Sequence, residues 1–262
     1  NSILKLTTYN NYEILIVENN STEEKTFEYY KELEKSEKIR VIEYKEKGFN
    51  YSKIINFGVK NCEGSEFVVQ LNSDTELLTP NWLEKFIGYA QRKDVGAVGA
   101  RLYYEDKSIQ HAGIGIGICD LAANLLTNTP KNFHAYFGRE CLPQNLSAVT
   151  GACLFSRRSI YEEVGYMDEE NFAVAFNDVD FCLKIRQAGY LIVYNPYIEF
   201  IHYESKTRGY EDTPEKKARF ERESNNFRTK WRKVLDAGDP YSNINFDKNT
   251  AQYNIRTDKI IQ

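Results

Sequence analysis

An apolar run ends abruptly on a polar cluster where Phe67-Val68-Val69-Gln70-Leu71 leads into Asn72-Ser73-Asp74. Hard divalent cations prefer oxygen ligands and bridge protein carboxylates to phosphates. Asp74 is therefore a candidate metal ligand holding a diphosphate, and a turn acid capping the next helix is the competing reading. A second acidic group, Asn177-Asp178-Val179-Asp180, opens a helix. Asp178 falls in its first turn, where the helix dipole favours an anion. A carboxylate at a pocket edge can take a proton from a hydroxyl nucleophile. Capping competes here too, and Asp180 is the better structural candidate. His202, in Ile201-His202-Tyr203-Glu204-Ser205, can complete a metal site begun by Asp74, although a lone histidine is more often structural.

Three further groups are weaker. Glu18-Asn19-Asn20-Ser21 can read the edge of a nucleotide base, or simply cap a helix. Lys206 and Arg208 flank a short basic loop able to close over a diphosphate, although solvated charge is its usual explanation. His111 sits beside a glycine run and suits either substrate contact or packing.

The elements that must position these groups read as alternating strands and helices. Residues 12–17, 39–44, 67–71 and 95–100 predict strands, the third buried on both faces. Between them lie helices opened by a capping box at Ser21 and Glu24, by Ser52, and by Thr79-Pro80. This order implies a mostly parallel sheet with right-handed crossovers. An acid after such a strand lies on the carboxyl edge, where open α/β folds bind ligands. Residues 103–147 are irregular. Residues 148–155, 190–194 and 198–201 predict further strands, and Asn177 caps a helix closing at Gly189. Thr213-Pro214 starts a charged helix with an apolar stripe of Phe220, Phe227, Trp231 and Leu235, and residues past 247 predict a loosely held polar tail. Residues 1–11 read as the tail of a helix plus a turn, so the expectation is a domain entered after its first strand.

With 262 residues, 42% hydrophobic and 14% aromatic, the chain can bury one large core. A net charge of −4 argues against a broad grip on nucleic acid. No apolar run is long enough to span a bilayer, and no signal peptide is visible. Five scattered cysteines without a C-x-x-C pair fit reduced thiols in a cytoplasmic protein. Peripheral membrane association through the basic residues of the 213–235 helix is opposed by Glu215, Glu221 and Glu223 on that helix.

Taken in order, residues 12–21, Phe49-Asn50-Tyr51-Ser52, residues 71–76, Gln110-His111-Ala112-Gly113, Val149-Thr150-Gly151-Ala152-Cys153, residues 176–182, His202-Tyr203-Glu204-Ser205 and Asp239-Pro240-Tyr241 resemble the family 2 glycosyltransferases of GT-A fold. Within that family the chain looks like bacterial enzymes building rhamnose-containing or O-antigen-type polysaccharides, over residues 4–246. The resemblance implies a Rossmann-like, mostly parallel mixed sheet flanked by helices. It implies a nucleotide-sugar half (1–100), an acceptor and catalytic half (101–212), a C-terminal helix and extension (213–246), and the tail at 247–262. Asn72-Ser73-Asp74 then takes the place of the family's D-x-D motif, with an amide at its first acid. Asp74 and His202 would bind Mg²⁺ or Mn²⁺. Glu18, Asn19, Asn50, Asn72, Ser73, Asp74, Lys206 and Arg208 fall on the donor side. His111, Thr150, Gly151, Asp168 and Glu169 fall on the acceptor side, and Asp178 matches the catalytic base.

The implied reaction is inverting transfer from a UDP- or dTDP-linked sugar to a hydroxyl of a saccharide or lipid-linked saccharide, in the cytoplasm or at the inner face of the membrane. Two alternatives stand beside it. A sugar nucleotidyltransferase would need a glycine-rich phosphate loop, and none is visible. A catalytically inactive sugar- or nucleotide-binding scaffold is opposed by the retention of both Asp74 and Asp178.

Overall fold

The computed structural model describes residues 1–204 and 213–257. The chain opens on α1 (Ser2–Leu6), then alternates through β1 (Ile14–Glu18), α2 (Glu24–Leu33), β2 (Ile39–Glu43), α3 (Tyr51–Lys60) and β3 (Phe67–Leu71). After β4 (Thr75–Leu77), α4 (Trp82–Ala90) and β5 (Val95–Tyr103) come four short strands. These are β6 (Ile109–His111), β7 (Ile114–Ile116), β8 (Ala122–Asn124) and, after a 3-10 segment at Tyr136–Cys141, β9 (Gln144–Leu146). The last elements are β10 (Cys153–Arg157), α5 (Arg158–Glu163), α6 (Asn177–Gln187), β11 (Leu191–His202), α7 (Pro214–Lys230) and α8 (Arg232–Ala237).

The architecture is a mixed α/β sheet flanked by helices. The main sheet runs β3-β10-β5-β11-β4, with β6 added to β5 and β9 to β11. β5 and β11 are parallel, whereas β10 lies antiparallel between β3 and β5. β1 and β2 form a separate parallel pair. Among the described residues, no strand pairs with the other edge of β1 or of β3. That explains one departure from expectation. β3 is not buried on both faces: Val68 and Gln70 are buried, while Phe67, Val69 and Leu71 stay partly exposed.

β5 is a long strand buried along its whole length. Its glycines are there for close approach: a Cβ on Gly96 would lie 2.3 Å from an Ile185 methyl, and one on Gly99 would lie 2.5 Å from Val149 Cβ. One core cluster gathers α4, where Phe86 stacks on Phe155 at 4.9 Å and Trp82 meets Phe200 edge-on. The other gathers α5 and α6 through Tyr161, Phe181, Leu183 and Ile185. Burying each large apolar side chain contributes about 1.5–3 kcal/mol, so these two layers are what hold the sheet's loops in place.

Local capping differs from expectation at three helices. Ser21 does not cap α2; its N–H and hydroxyl both donate to Glu18, and Glu23 takes the cap position without a side-chain bond. Asn50, not Ser52, caps α3 by accepting from Lys53 N–H at 3.0 Å, while the buried Ser52 donates to the Phe172 carbonyl. Thr79 accepts from Glu199 N–H across the chain, and Asn81 precedes α4. In each case another partner outcompetes the expected cap, a local one for Ser21 and a tertiary one for Ser52 and Thr79. Thr213 does cap α7, with Pro214 at the first helical position. The apolar stripe is split at Trp231: Phe227 and Trp231 are buried, and Phe220 is exposed.

Residues 148–155 are not one strand: Ala148 makes an isolated bridge to Ile114, and the continuous ladder begins at Cys153. Residues 190–194 and 198–201 belong to a single strand, β11, whose register shifts between Asn195 and Glu199, around Pro196. Nor do residues 248–257, the described part of the expected tail, hang loose. Leu126 N–H donates to the Ala251 carbonyl, Cys119 N–H to that of Lys248, and Tyr253 is buried against Phe246.

Candidate active site

The β3–β4 turn carries Asn72, Ser73 and Asp74. β4 pairs antiparallel with β11 so that Thr75 faces His202. That register sets Asp74 Oδ1 3.2 Å from His202 Nε2. The histidine's tautomer follows from its other nitrogen. Gln110 Nε2 donates to Glu204 at 3.1 Å, which turns Gln110 Oε1 toward His202 Nδ1 at 2.7 Å. Nδ1 therefore carries the proton, and Nε2 presents a lone pair. A carboxylate oxygen and an imidazole lone pair are both acceptors. Two ligands held at right angles about 2.1 Å from one cation lie about 3.0 Å apart, close to the spacing seen. The pair therefore fits a divalent ion. Ser73 is exposed beside it.

A chain of hydrogen bonds leads from this pair to the candidate base. Asn72 Nδ2 donates toward His202 Nε2 at 3.2 Å. The Tyr51 hydroxyl lies 2.9 Å from Asn72 Oδ1 and 2.8 Å from the Gly151 carbonyl, its one proton shared between them. Gln70 Nε2 donates to the same carbonyl, and Tyr161 fixes Gln70 from behind. Gly151 N–H then donates to Asp178 Oδ2 at 2.9 Å. A Cβ on Gly151 would sit 2.4 Å from Gln70 Nε2 and 3.3 Å from Asp178 Cβ, so only glycine fits.

Asp178 occupies the first turn of α6, as expected, although Asn177 is the first helical residue rather than its cap. Phe176 takes the cap position in a left-handed conformation, and Asn177 donates to the Val174 carbonyl. Burial pushes the Asp178 carboxyl above the ordinary aspartate value, opposed by N–H donation from Gly151 and Val179 and by Thr150. A raised pKa makes it a better proton acceptor.

Other expected residues serve as supports. His111 is buried, its Nδ1 2.6 Å from Asn124 Oδ1, and its Nε2 accepts from Thr150 N–H. Burial presses its pKa down to about 4, so it is a neutral brace for Thr150 and not an exposed contact. Asp168 pairs with Lys230 at 2.9 Å, and Glu169 accepts from Asn56 Nδ2. Asn50 Nδ2 donates to the Glu169 carbonyl. Glu18 is buried, accepting from Ser21 and Tyr30; burial would raise its pKa, but these donors outweigh it and hold the carboxyl low. Asn19 Nδ2 beside it is enclosed and without a hydrogen-bond partner among the described residues. Lys206 and Arg208 lie outside the described residues.

Tyr51, Gln70 and Gln110 were not singled out for these roles from sequence. The usable signal was Gln70, a polar residue inside an apolar strand.

Comparison with known proteins follows the same lines. Residues 1–165 match the family described as "Glycosyl transferase family 2". The chain is 44% identical over 245 residues to the uncharacterized protein y4gI of Sinorhizobium fredii (strain NBRC 101917 / NGR234), covering 93% of this chain and 27% of that protein. It is 34% identical over 216 residues to O-antigen biosynthesis protein RfbC of Myxococcus xanthus, covering 82% of this chain and 16% of that one. The chain thus spans about a quarter or less of these relatives. Among solved structures, GalNAc-T7 with UDP, GalNAc and Mn²⁺ aligns at a TM-score of 0.61 and 16% identity, over 81% of this chain and 42% of that chain, a likeness of fold. No helix among the described residues is long and apolar enough to cross a membrane.

Proposed function

This chain belongs to glycosyl transferase family 2, and from that footing we propose that it moves a sugar from a nucleoside diphosphate to a saccharide hydroxyl with inversion. The observation that carries this reading is the hydrogen-bonded path joining the Asp74–His202 pair to Asp178 through Asn72, Tyr51 and Gly151.

Asp178 takes the proton of the acceptor hydroxyl. The acceptor oxygen bonds to the anomeric carbon as the bond from that carbon to the diphosphate breaks on the opposite face, through an oxocarbenium-like transition state. Gly151 and Val179 N–H groups aim the Asp178 carboxylate. Asp74 and His202 would hold the divalent ion, Mg²⁺ or Mn²⁺. When bound, that ion offsets the charge gathering on the departing diphosphate. Asn19 offers its unpaired N–H group to the base of a uridine or thymidine nucleotide, beside the braced Glu18. Thr150 and Gly151 line the acceptor side, with His111 behind them. The similarity to RfbC favours a cell-surface polysaccharide as the product class, and the resemblance of the ordered motifs suggests a deoxyhexose such as rhamnose as the moved sugar. A saccharide acceptor carried on a lipid would bring the reaction to the inner face of the membrane.

The test is release of nucleoside diphosphate from a panel of UDP- and dTDP-sugars with saccharide acceptors. Asp178→Asn is expected to slow transfer about 10²–10⁴-fold while donor affinity, measured by calorimetry, stays near wild type. Wild-type turnover in that variant would remove the assigned base. Donor binding without any release from the wild-type chain would favour a binding scaffold instead.

A further inference from the structure

We propose that His134, Glu140 and Cys141 form a second cation site, for a soft divalent ion of the zinc class, with a donor set unlike the Asp74–His202 pair. His134 Nδ1 lies 3.0 Å from Glu140 Oε1. Cys141 Sγ lies 3.2 Å from that oxygen and 3.7 Å from His134 Nδ1. Nitrogen, oxygen and sulfur ligands placed tetrahedrally at about 2.0–2.3 Å from one ion stand about 3.3–3.6 Å apart. The three atoms therefore need to move only a few tenths of an ångström to share an ion. Thiolate, imidazole and carboxylate together select zinc-like ions over Mg²⁺ or Ca²⁺.

The backbone is built to bring these groups together. Phe137 and Gly138 both take left-handed conformations, at φ 54° and 66°. For a bulky residue such as Phe137 this costs on the order of 1 kcal/mol or more. Packing offsets little of that cost, because Phe137 is 86% exposed and meets Tyr136 edge-on at the surface. What the reversal does achieve is to return His134 onto Glu140 and Cys141. Glu140 is rigid: its side chain is buried, its Oε2 accepts from Ala135 N–H, and Arg101 donates to its carbonyl. His134 is open to solvent, which gives an entry path and room for a fourth ligand.

Charge and protons balance. Without an ion, Glu140 Oε1 accepts from both the imidazole and the thiol. Binding a dication moves the imidazole proton to the exposed Nε2 and releases the thiol proton. One anionic carboxylate and one thiolate then neutralise the ion, with a single proton lost to solvent. The charged and titratable groups facing the sulfur are Glu140, His134 and the Arg101 guanidinium. The competing reading is a hydrogen-bonded staple that never binds metal.

Titrating the reduced, chelator-treated chain with Co²⁺ alone distinguishes the two. A thiolate-to-cobalt absorption band saturating at one equivalent is expected, displaced by Zn²⁺, with one proton released per ion. Cys141→Ser should abolish the band, and His134→Ala should weaken binding about tenfold or more. No band in the wild-type chain, or a band surviving in Cys141→Ser, overturns the proposal. Should either variant fold poorly, X-ray absorption on the zinc-loaded wild-type chain decides. One sulfur with nitrogen and oxygen neighbours supports the site, and a shell of light atoms alone defeats it.

Discussion

Asp178 and Asp180 stand two residues apart on one helix and lead opposite lives. Two residues turn an α-helix by about 200°, so the two carboxylates leave α6 on opposite sides. Asp180 points into the core, where Lys230 lies 2.8 Å away and Trp231 Nε1 donates at 2.8 Å. Burial pushes the Asp180 carboxyl up, and the neighbouring ammonium is the charge that keeps it an anion. Burial alone would lower the Lys230 pKa, but its carboxylate partners Asp180 and Asp168 raise it. Asp178 has no such cation. It is held by the Gly151 and Val179 N–H groups and the Thr150 side chain, all neutral dipoles, and kept partly open beside Gly151. A buried carboxylate with a cation is committed to structure; one held only by dipoles keeps its appetite for a proton.

The sharpest way to break this comparison is to neutralise each acid in turn. Asp178→Asn should cost transfer about 10²–10⁴-fold and leave thermal stability equal or slightly higher. The sign follows from linkage. A carboxyl whose folded pKa is raised favours the folded state below the unfolded value and loses that favour as pH rises through the folded value. At neutral pH the Asp178 anion is therefore a burden on stability that the amide removes. Asp180→Ala should do the reverse, lowering stability by about 3 kcal/mol, the low end for breaking a buried pair because Lys230 keeps Asp168. Calorimetric melting of both variants beside their turnover would expose the idea if Asp180→Ala lost activity without stability.

Gly151→Ala probes the dipoles that aim Asp178. The added methyl has no room against Gln70 and must push the segment away from α6. Transfer should fall about 10–100-fold, with stability lower by about 1–3 kcal/mol, the usual cost of overpacking. Losing an N–H donor to the ionised carboxylate also raises its pKa. Burial already raises this carboxyl in the wild type, and the acid limb of the pH–rate profile that it is expected to set should shift further toward neutral pH. An unmoved limb would mean that Gly151 spaces the loop without tuning the base.

Legibility followed range. Residues 67–71 were read to the residue because a β-branched run closed by a polar turn is a local signal, and Asp178 in a first helical turn is another. The meeting of Asp74 with His202, 128 positions on, needed the resemblance of the ordered motifs, since no periodicity encodes the β4–β11 register. The misread caps at Ser21, Ser52 and Thr79 share one cause. A hydroxyl suited to a helix start is equally suited to other partners, and the nearby Glu18 and the distant Phe172 carbonyl and Glu199 N–H won. The antiparallel insertion of β10 was invisible for a related reason: its partners, β3 and β5, both precede it by more than fifty residues. Gln110, which sets the tautomer of His202, stands 92 residues from it, and its place in the Gln110-His111-Ala112-Gly113 motif does not say which partner it meets.

The gentlest test concerns Asn72, which aims an N–H at the lone pair that a cation would use. Tyr51 holds the amide in that orientation by donating to its oxygen. Any ion held by Asp74 and His202 must first displace this hydrogen bond, so Asn72 sets a modest barrier to metal binding without donor. Asn72→Asp removes the competing donor and adds an anion. At an effective dielectric of about 20, a unit charge about 4 Å from a dication is worth about 8 kcal/mol, and desolvation with carboxylate repulsion from Asp74 returns most of it. Mn²⁺ affinity should rise about tenfold by calorimetry, and the melting temperature should gain more on adding Mn²⁺ than that of the wild type. Tyr51→Phe should act in the same direction but more weakly, because the amide is then free to turn its oxygen toward the ion. If both variants bind Mn²⁺ no better than the wild type, the amide is a bystander, and the acid at position 74 with its histidine sets the affinity alone.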